Sequence, residues 1–172
     1  FGSAEAGKAR LAQLKDARTN LDERKDILLS FGQEVYTPAF GAIVGFLDDA
    51  ALREPALRAI ASYEDLSVPA EIISRYSSFS GLERSIAIQT LATRRTSALA
   101  LFEALYRGTI PKGDVSAVAA RQLNRIIGPR FADFWGSIES LSRDKQIAMD
   151  RYRILLTDEY VSHADLVAGK SL

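Results

Sequence analysis

From Leu52 to Leu105 the chain reads LREPALRAIA SYEDLSVPAE IISRYSSFSG LERSIAIQTL ATRRTSALAL FEAL. Arg53, Ala56, Leu57 and Ile60 fall at helical spacing, a polar break follows at Ser62–Asp65, and Val68, Ile72, Ile73 and Tyr76 make a second apolar stripe. The same residue types return 31 positions later as Arg84, Ala87, Ile88 and Leu91. A break at Thr93–Thr96 and a stripe of Leu99, Leu101, Phe102 and Leu105 complete the second copy. Each helix alone buries too little apolar surface to offset the entropy of ordering it. Hairpins laid side by side share one continuous core. The repetition therefore predicts an all-α stack of antiparallel helix pairs, an α-solenoid.

Upstream, Ala4 to Ala17 reads as a helix with a partial stripe of Ala9, Leu11, Leu14 and Ala17, weakened by Gly7. It is either the second helix of a truncated repeat or a terminal cap. Thr19 or Asn20 can cap the next helix, with Asp22 and Glu23 near its positive end. Arg24, Ile27, Leu28 and Phe31 repeat the pattern 29 residues before the Arg53 copy, and Gly32 is the expected stop. Pro38 opens a partner helix with a core face of Phe40, Ile43, Val44 and Leu47. Gly41 and Gly45 either admit a close neighbour or are simply tolerated. Asp48-Asp49 can cap the helix that begins near Leu52, and Pro55 predicts a late start or a kink in it. Pro69 again sits in a first turn, and Ser80-x-x-Glu83 reads as a capping box.

Downstream, Arg94-Arg95-Thr96 turns into a partner helix, Ser97 to Arg107, closed by the loop Gly108-Thr109-Ile110-Pro111. Asp114 is the expected cap of a fourth first-helix, in which Ala119, Ala120 and Leu123 recur at an offset of 32. Gly128-Pro129 breaks the chain before a bulky stripe of Phe131, Phe134, Trp135 and Ile138. Ser142 or Asp144 starts a last long helix, which Thr157-Asp158 ends. Residues 1–157 thus read as one helical-repeat domain and 158–172 as a tail. No stretch alternates at period two between turn dipeptides, so no β-sheet is expected.

Composition narrows the chemistry. Cysteine is absent, which removes disulfides, thiolate metal sites and cysteine nucleophiles. The one histidine, His163, lies in the tail, so neither a serine triad nor a histidine-rich metal cluster is supported. Asp48-Asp49 and Asp22-Glu23 read as helix caps rather than acid/base pairs. Glycine-rich phosphate loops are missing. No catalytic, cofactor-binding or metal-ligating residue is therefore nominated, and the chain is not expected to be an enzyme. No apolar run approaches the roughly 20 residues of a membrane helix, so no membrane span is expected. The abrupt start at Phe1-Gly2-Ser3 is that expected of a piece of a longer protein.

Basic and acidic residues each total 22. Residues 1–65 hold 8 basic and 11 acidic side chains, residues 66–157 hold 13 and 8, and the last 15 hold 1 and 3. The basic centre reads as a solvated surface, since a DNA-binding groove carries a stronger excess. Trp135 with Phe131 and Phe134 could form an aromatic binding face, but the helical spacing favours core packing. Arg53 and Arg84 recur at equivalent positions, which points to a structural job such as bonding a neighbouring loop or acidic cap.

The paired amphipathic helices resemble HEAT-like repeats. A narrower resemblance rests on several segments: Leu52-Arg53 with Ala56-Leu57-Arg58-Ala59-Ile60-Ala61, Glu83-Arg84 with Leu91-Ala92-Thr93-Arg94, Gly108-Thr109-Ile110-Pro111, Ala120-Arg121-Gln122-Leu123, and Arg151-Tyr152-Arg153-Ile154-Leu155-Leu156-Thr157. Together they resemble the helical-repeat region of planctomycete-type multidomain haem-binding proteins, which are cytochrome c-containing and membrane-bound dehydrogenase-like. In that family a propeller-like domain precedes the repeats and a small cytochrome c domain follows. The final Asp165–Leu172 looks like the first helix of that cytochrome domain. The Cys-x-x-Cys-His motif it leads to is absent, so no haem-ligating residue carries over. The resemblance implies haem c in an adjoining domain and a periplasmic or secreted location. It implies a non-catalytic module holding flanking domains, or a protein partner, in a fixed relation. The alternative is a HEAT-like nucleic-acid-binding protein resembling alkylpurine DNA glycosylases.

Overall fold

The structure, a computed structural model, describes residues 2–136. Those residues are all-α. In order they form α1 (Gly2–Lys15), α2 (Leu21–Gln33), α3 (Phe40–Phe46), α4 (Arg53–Ile60), α5 (Val68–Arg75), α6 (Gly81–Leu91), α7 (Arg95–Tyr106), α8 (Ala117–Ile127) and α9 (Pro129–Trp135). Short 3-10 turns lie at Thr37–Ala39, Tyr76–Ser78 and Lys112–Asp114, and no strand occurs among the described residues. The backbone divides into two compact units, Phe1–Phe134 and Trp135–Leu172. Helices α1 to α8 lie wholly in the first. The expected helix beyond Ser142, the boundary at Thr157 and the tail lie outside the described residues.

Local chemistry sets the helix starts. Asn20 caps α2 by accepting the Glu23 amide at 2.8 Å. Ser80 and Glu83 form the full capping box of α6: the Glu83 amide donates to Ser80 Oγ at 3.4 Å and the Ser80 amide to Glu83 Oε2 at 2.7 Å. Pro55 falls at the third position of α4, where a missing amide hydrogen breaks no helical bond, so the helix accommodates it by starting at Arg53. Gly108 and Gly128 close α7 and α8 with φ of 74° and 81°, a backbone state that costs glycine little.

The expected caps and stripes are corrected at four places. Asp114 does not cap α8; Ser116 does, accepting the Ala119 amide at 3.2 Å, because Asp114 is drawn instead to the Tyr76 hydroxyl 2.9 Å away. Gly32 is not a stop. It lies inside α2, where a Cβ would come within 3.1 Å of the Ala59 Cα on α4, so it is small because two helix backbones meet there. Leu99 is 41% exposed, and the buried stripe of α7 is Ala98, Leu101, Phe102 and Leu105. In α1 only Leu14 of the expected stripe is buried, and the helix ends at Lys15 rather than Ala17. Gly7 in that helix is buried under the Tyr36 ring, which a Cβ would strike at 2.7 Å.

Helices α2, α4 and α6 lie against one another in succession, and α5 lies against α7. Further contacts join α1 to α2, α3 to α4, α6 to α7 and α7 to α8. The expected core residues Ala56, Leu57, Ile60, Ala87, Ile88 and Leu91 are all buried between these helices. Leu28, Phe31, Ile43, Leu47, Ile72, Leu123 and Phe131 extend the same core toward both ends.

Candidate functional site

The repeated arginines act as staples. Arg53 donates from Nε to the Leu47 carbonyl at 2.7 Å and from Nη1 to the Ser78 carbonyl at 3.3 Å. The same Nη1 lies 3.5 Å from Glu83, and the guanidinium sits 5.6 Å above the Phe79 ring. Arg84 reaches the Ser77 carbonyl at 3.4 Å and Asp114 at 3.6 Å, over the Tyr76 ring. Arg24, one copy earlier, donates to the Leu14 carbonyl at 3.1 Å and covers Phe46. Each arginine leaves its own helix to satisfy carbonyls at the end of another element. The recurrence in sequence reflects this shared job.

A second set of bonds joins the α2–α3, α4–α5 and α6–α7 connections to one another and to the end of α8. Ser62 Oγ donates to the Gly32 carbonyl at 2.6 Å, and the Tyr63 hydroxyl to the Tyr36 carbonyl at 3.1 Å. Arg94 Nη1 donates to the Tyr63 carbonyl at 2.7 Å, and Arg95 Nη1 to the Ile126 carbonyl at 3.5 Å. These bonds span 27 to 31 residues, about one repeat each. Burial lifts the Tyr63 phenol above its usual range, so the hydroxyl keeps the proton it donates. At the ends of α3 and α5, Arg75 clasps Asp48 through two bonds, at 2.8 and 3.1 Å, and these hold the Asp48 carboxyl below its usual range.

Among the described residues, two clefts flank the α4–α5 turn, Ala61–Ser67, and a groove adjoins it at Leu66. One cleft of about 660 Å³ lies between the α2–α3 connection and this turn, walled by Val35, Phe40 and Gly41 facing Tyr63, Glu64 and Asp65. On the turn's other side a smaller cleft of about 260 Å³ reaches Arg94 and Thr96. It shares Leu66 and Thr96 with a groove of about 530 Å³ between α5 and α7, floored by Pro69, Ala70, Ile73, Ala100 and Ala104. Leu66 is 82% exposed at that junction. In the sequence this turn reads only as a polar break. The available signal was Leu66, an apolar residue two positions before Val68 and out of phase with the buried stripe.

The aromatic, glycine and arginine candidates separate clearly. Phe131 is fully buried, while Phe134 is half-buried against Phe102 at 5.5 Å and Tyr106 at 5.9 Å. Trp135 is half-buried. Gly41 and Gly45 have nothing within 4 Å of a Cβ, so within the described unit they admit no close helix. Of the central arginines, Arg75, Arg84 and Arg107 each lie within 3.6 Å of a carboxylate. Arg121 and Arg125 are exposed on α8. This pairing weakens the basic segment as a phosphate-binding track. Among the described residues no helix is long and apolar enough to cross a membrane, and no group of three or more histidine, cysteine, aspartate or glutamate side chains is placed to hold a metal ion. The chain matches no protein-family model, no curated protein and no solved structure.

Proposed function

We propose that this chain is a non-catalytic helical-repeat module, an α-solenoid of HEAT-like helix pairs, that holds flanking domains or a protein partner in a fixed relation. The observation that supports this reading is the set of turn bonds at one-repeat spacing, from Gly32 through Ser62, Tyr63 and Arg94. Side-chain bonds to backbone carbonyls of the preceding repeat fix the angle between neighbours, which a rigid spacer needs and a catalytic pocket does not. The clefts beside the α4–α5 turn offer surface for a partner.

From the sequence resemblance we further propose that the module belongs to a secreted or periplasmic haem-binding protein, with a c-type cytochrome domain following it. Haem c is attached through cysteine thioethers, and this chain has no cysteine. Its residues therefore do not fit the group, and the haem would sit in the adjoining domain. Reading the transcript beyond Leu172 tests this. A Cys-x-x-Cys-His motif within roughly 20 residues is the expected result. Its absence removes the haem proposal and leaves the repeat module intact.

A further inference from the structure

We propose that the cleft between the α2–α3 connection and the α4–α5 turn binds an extended polypeptide segment through a lysine or arginine side chain. The proposal rests on the reading of the chain as an interaction module and names the partner's chemistry.

The cleft has an aromatic wall. Tyr63 is buried at its base, its ring 5.6 Å from that of Phe40, and the half-buried Phe40 is the ring a cation can approach from the cleft. Two carboxylates border the same space. The Glu64 side chain is 86% exposed, and its ion pair with Arg94 spans 3.9 Å, too long and too wet to neutralise it. Asp65 accepts the Ser67 amide at 2.8 Å and the Ser67 hydroxyl at 2.7 Å, both on Oδ1. Those bonds favour the ionised form. The combination of ring face and carboxylates suits an organic cation. A metal ion would want more oxygen ligands than two carboxylates, and no three-residue metal group exists among the described residues.

Size and shape select a chain rather than a free ion. The cleft's 660 Å³, approximately, exceeds what one basic side chain fills. Val35, 52% exposed, supplies an apolar flank for a neighbouring residue. Gly41 keeps the wall open, since a Cβ there meets nothing within 4 Å.

The test pans a phage-displayed library of random peptides against the whole chain at low salt. Enriched peptides are synthesised and titrated against three variants. Glu64→Gln with Asp65→Asn removes both charges, while asparagine still accepts the Ser67 bonds. Gly41→Leu fills the cleft at a position with free space. Leu82→Ala, on exposed α6 surface, is the control. The expected outcome is enrichment of lysine or arginine beside aliphatic residues. Binding should weaken about fivefold or more in the charge variant and about tenfold or more in Gly41→Leu, with no change in Leu82→Ala. Circular dichroism confirms that each variant stays folded. No enrichment of basic peptides, or binding indifferent to both cleft variants, overturns the proposal. Arginine methyl ester binding as tightly as the peptides overturns the polypeptide partner. The module reading is judged separately, by truncation at a hairpin boundary, which neither cleft variant touches.

Discussion

Replacing Arg53 with alanine should destabilise the chain by about 3 kcal/mol. The side chain is 11% exposed and serves three elements at once. Its Nε bond to the Leu47 carbonyl, at 2.7 Å, is a charge-assisted bond of roughly 1.5–3 kcal/mol. Its place over Phe79 adds about 0.5–1 kcal/mol. Alanine would also strand Glu83, whose side chain is 10% exposed. Removing one partner of a buried pair costs roughly 3–5 kcal/mol. Here the lower end applies, because the pair is 3.5 Å apart and Glu83 keeps its 2.7 Å bond from the Ser80 amide. For a chain of this size the loss corresponds to a melting shift of about 6–12 °C. Thermal and urea melts followed by circular dichroism would measure it. Arg58→Ala is the control, an exposed arginine paired with Glu54 one turn away and worth under about 0.5 kcal/mol. The double variant with Glu83→Gln should lose less than the sum of the two single losses, since each single change removes the same ionic contact. Equal midpoints for Arg53→Ala and Arg58→Ala would refute the reasoning.

The other predictions concern packing, backbone approach, ionisation and nucleic acid. Ile88→Ala should cost about 2–5 kcal/mol and Gln89→Ala under about 0.5, because Ile88 is 1% exposed and Gln89 faces solvent; equal urea midpoints would mean the faces of α6 are misassigned. Gly32→Ala should destabilise despite alanine's better helix propensity, since the new Cβ meets the Ala59 backbone at 3.1 Å, while Gly41→Ala should stabilise by about 0.5–1 kcal/mol; the opposite order in paired melts would contradict the close approach of α2 and α4. Burial, reinforced by the Asp114 carboxylate, raises the Tyr76 phenol pKa above its ordinary 10.0. The unfolded chain would then ionise first, so this contribution is complete below about pH 10 and is lost as pH rises toward the folded value. Alkaline melts should show the wild type losing more stability there than Tyr76→Phe. Duplex DNA binding, if any, should be weak even at low salt; nanomolar affinity with a steep salt slope would revive the nucleic-acid alternative.

Periodicity reports one thing, and that sets how far the sequence could be read. A stripe such as Ala56, Leu57 and Ile60 says which face of one helix is apolar, and the packing of α2, α4 and α6 obeys it. Local motifs were equally legible: Ser80 and Glu83 need only each other, and α6 starts where they place it. Features set through space were not. Gly32 is small because Ala59 presses on it, and Asp114 leaves its capping role because Tyr76 lies beside it. Leu99 falls off the stripe because Ala98, not Leu99, keeps the three- and four-residue helical spacing to Leu101 and Phe102. The cleft beside the α4–α5 turn depends on bringing residues 35–41 against 62–65, which no helical spacing encodes.

The central claim is that successive hairpins stack as separable units of one array. Cutting the chain after Gly108 tests it most directly, because the cut removes α8 and α9 but keeps every described contact among α1 to α7. In a repeat array stability is approximately a sum of unit and neighbour terms, so removing an end unit lowers it by a step. The account predicts that the 1–108 chain stays helical and melts cooperatively in urea at a lower midpoint than the parent. A 1–108 chain that is unfolded without denaturant would contradict it.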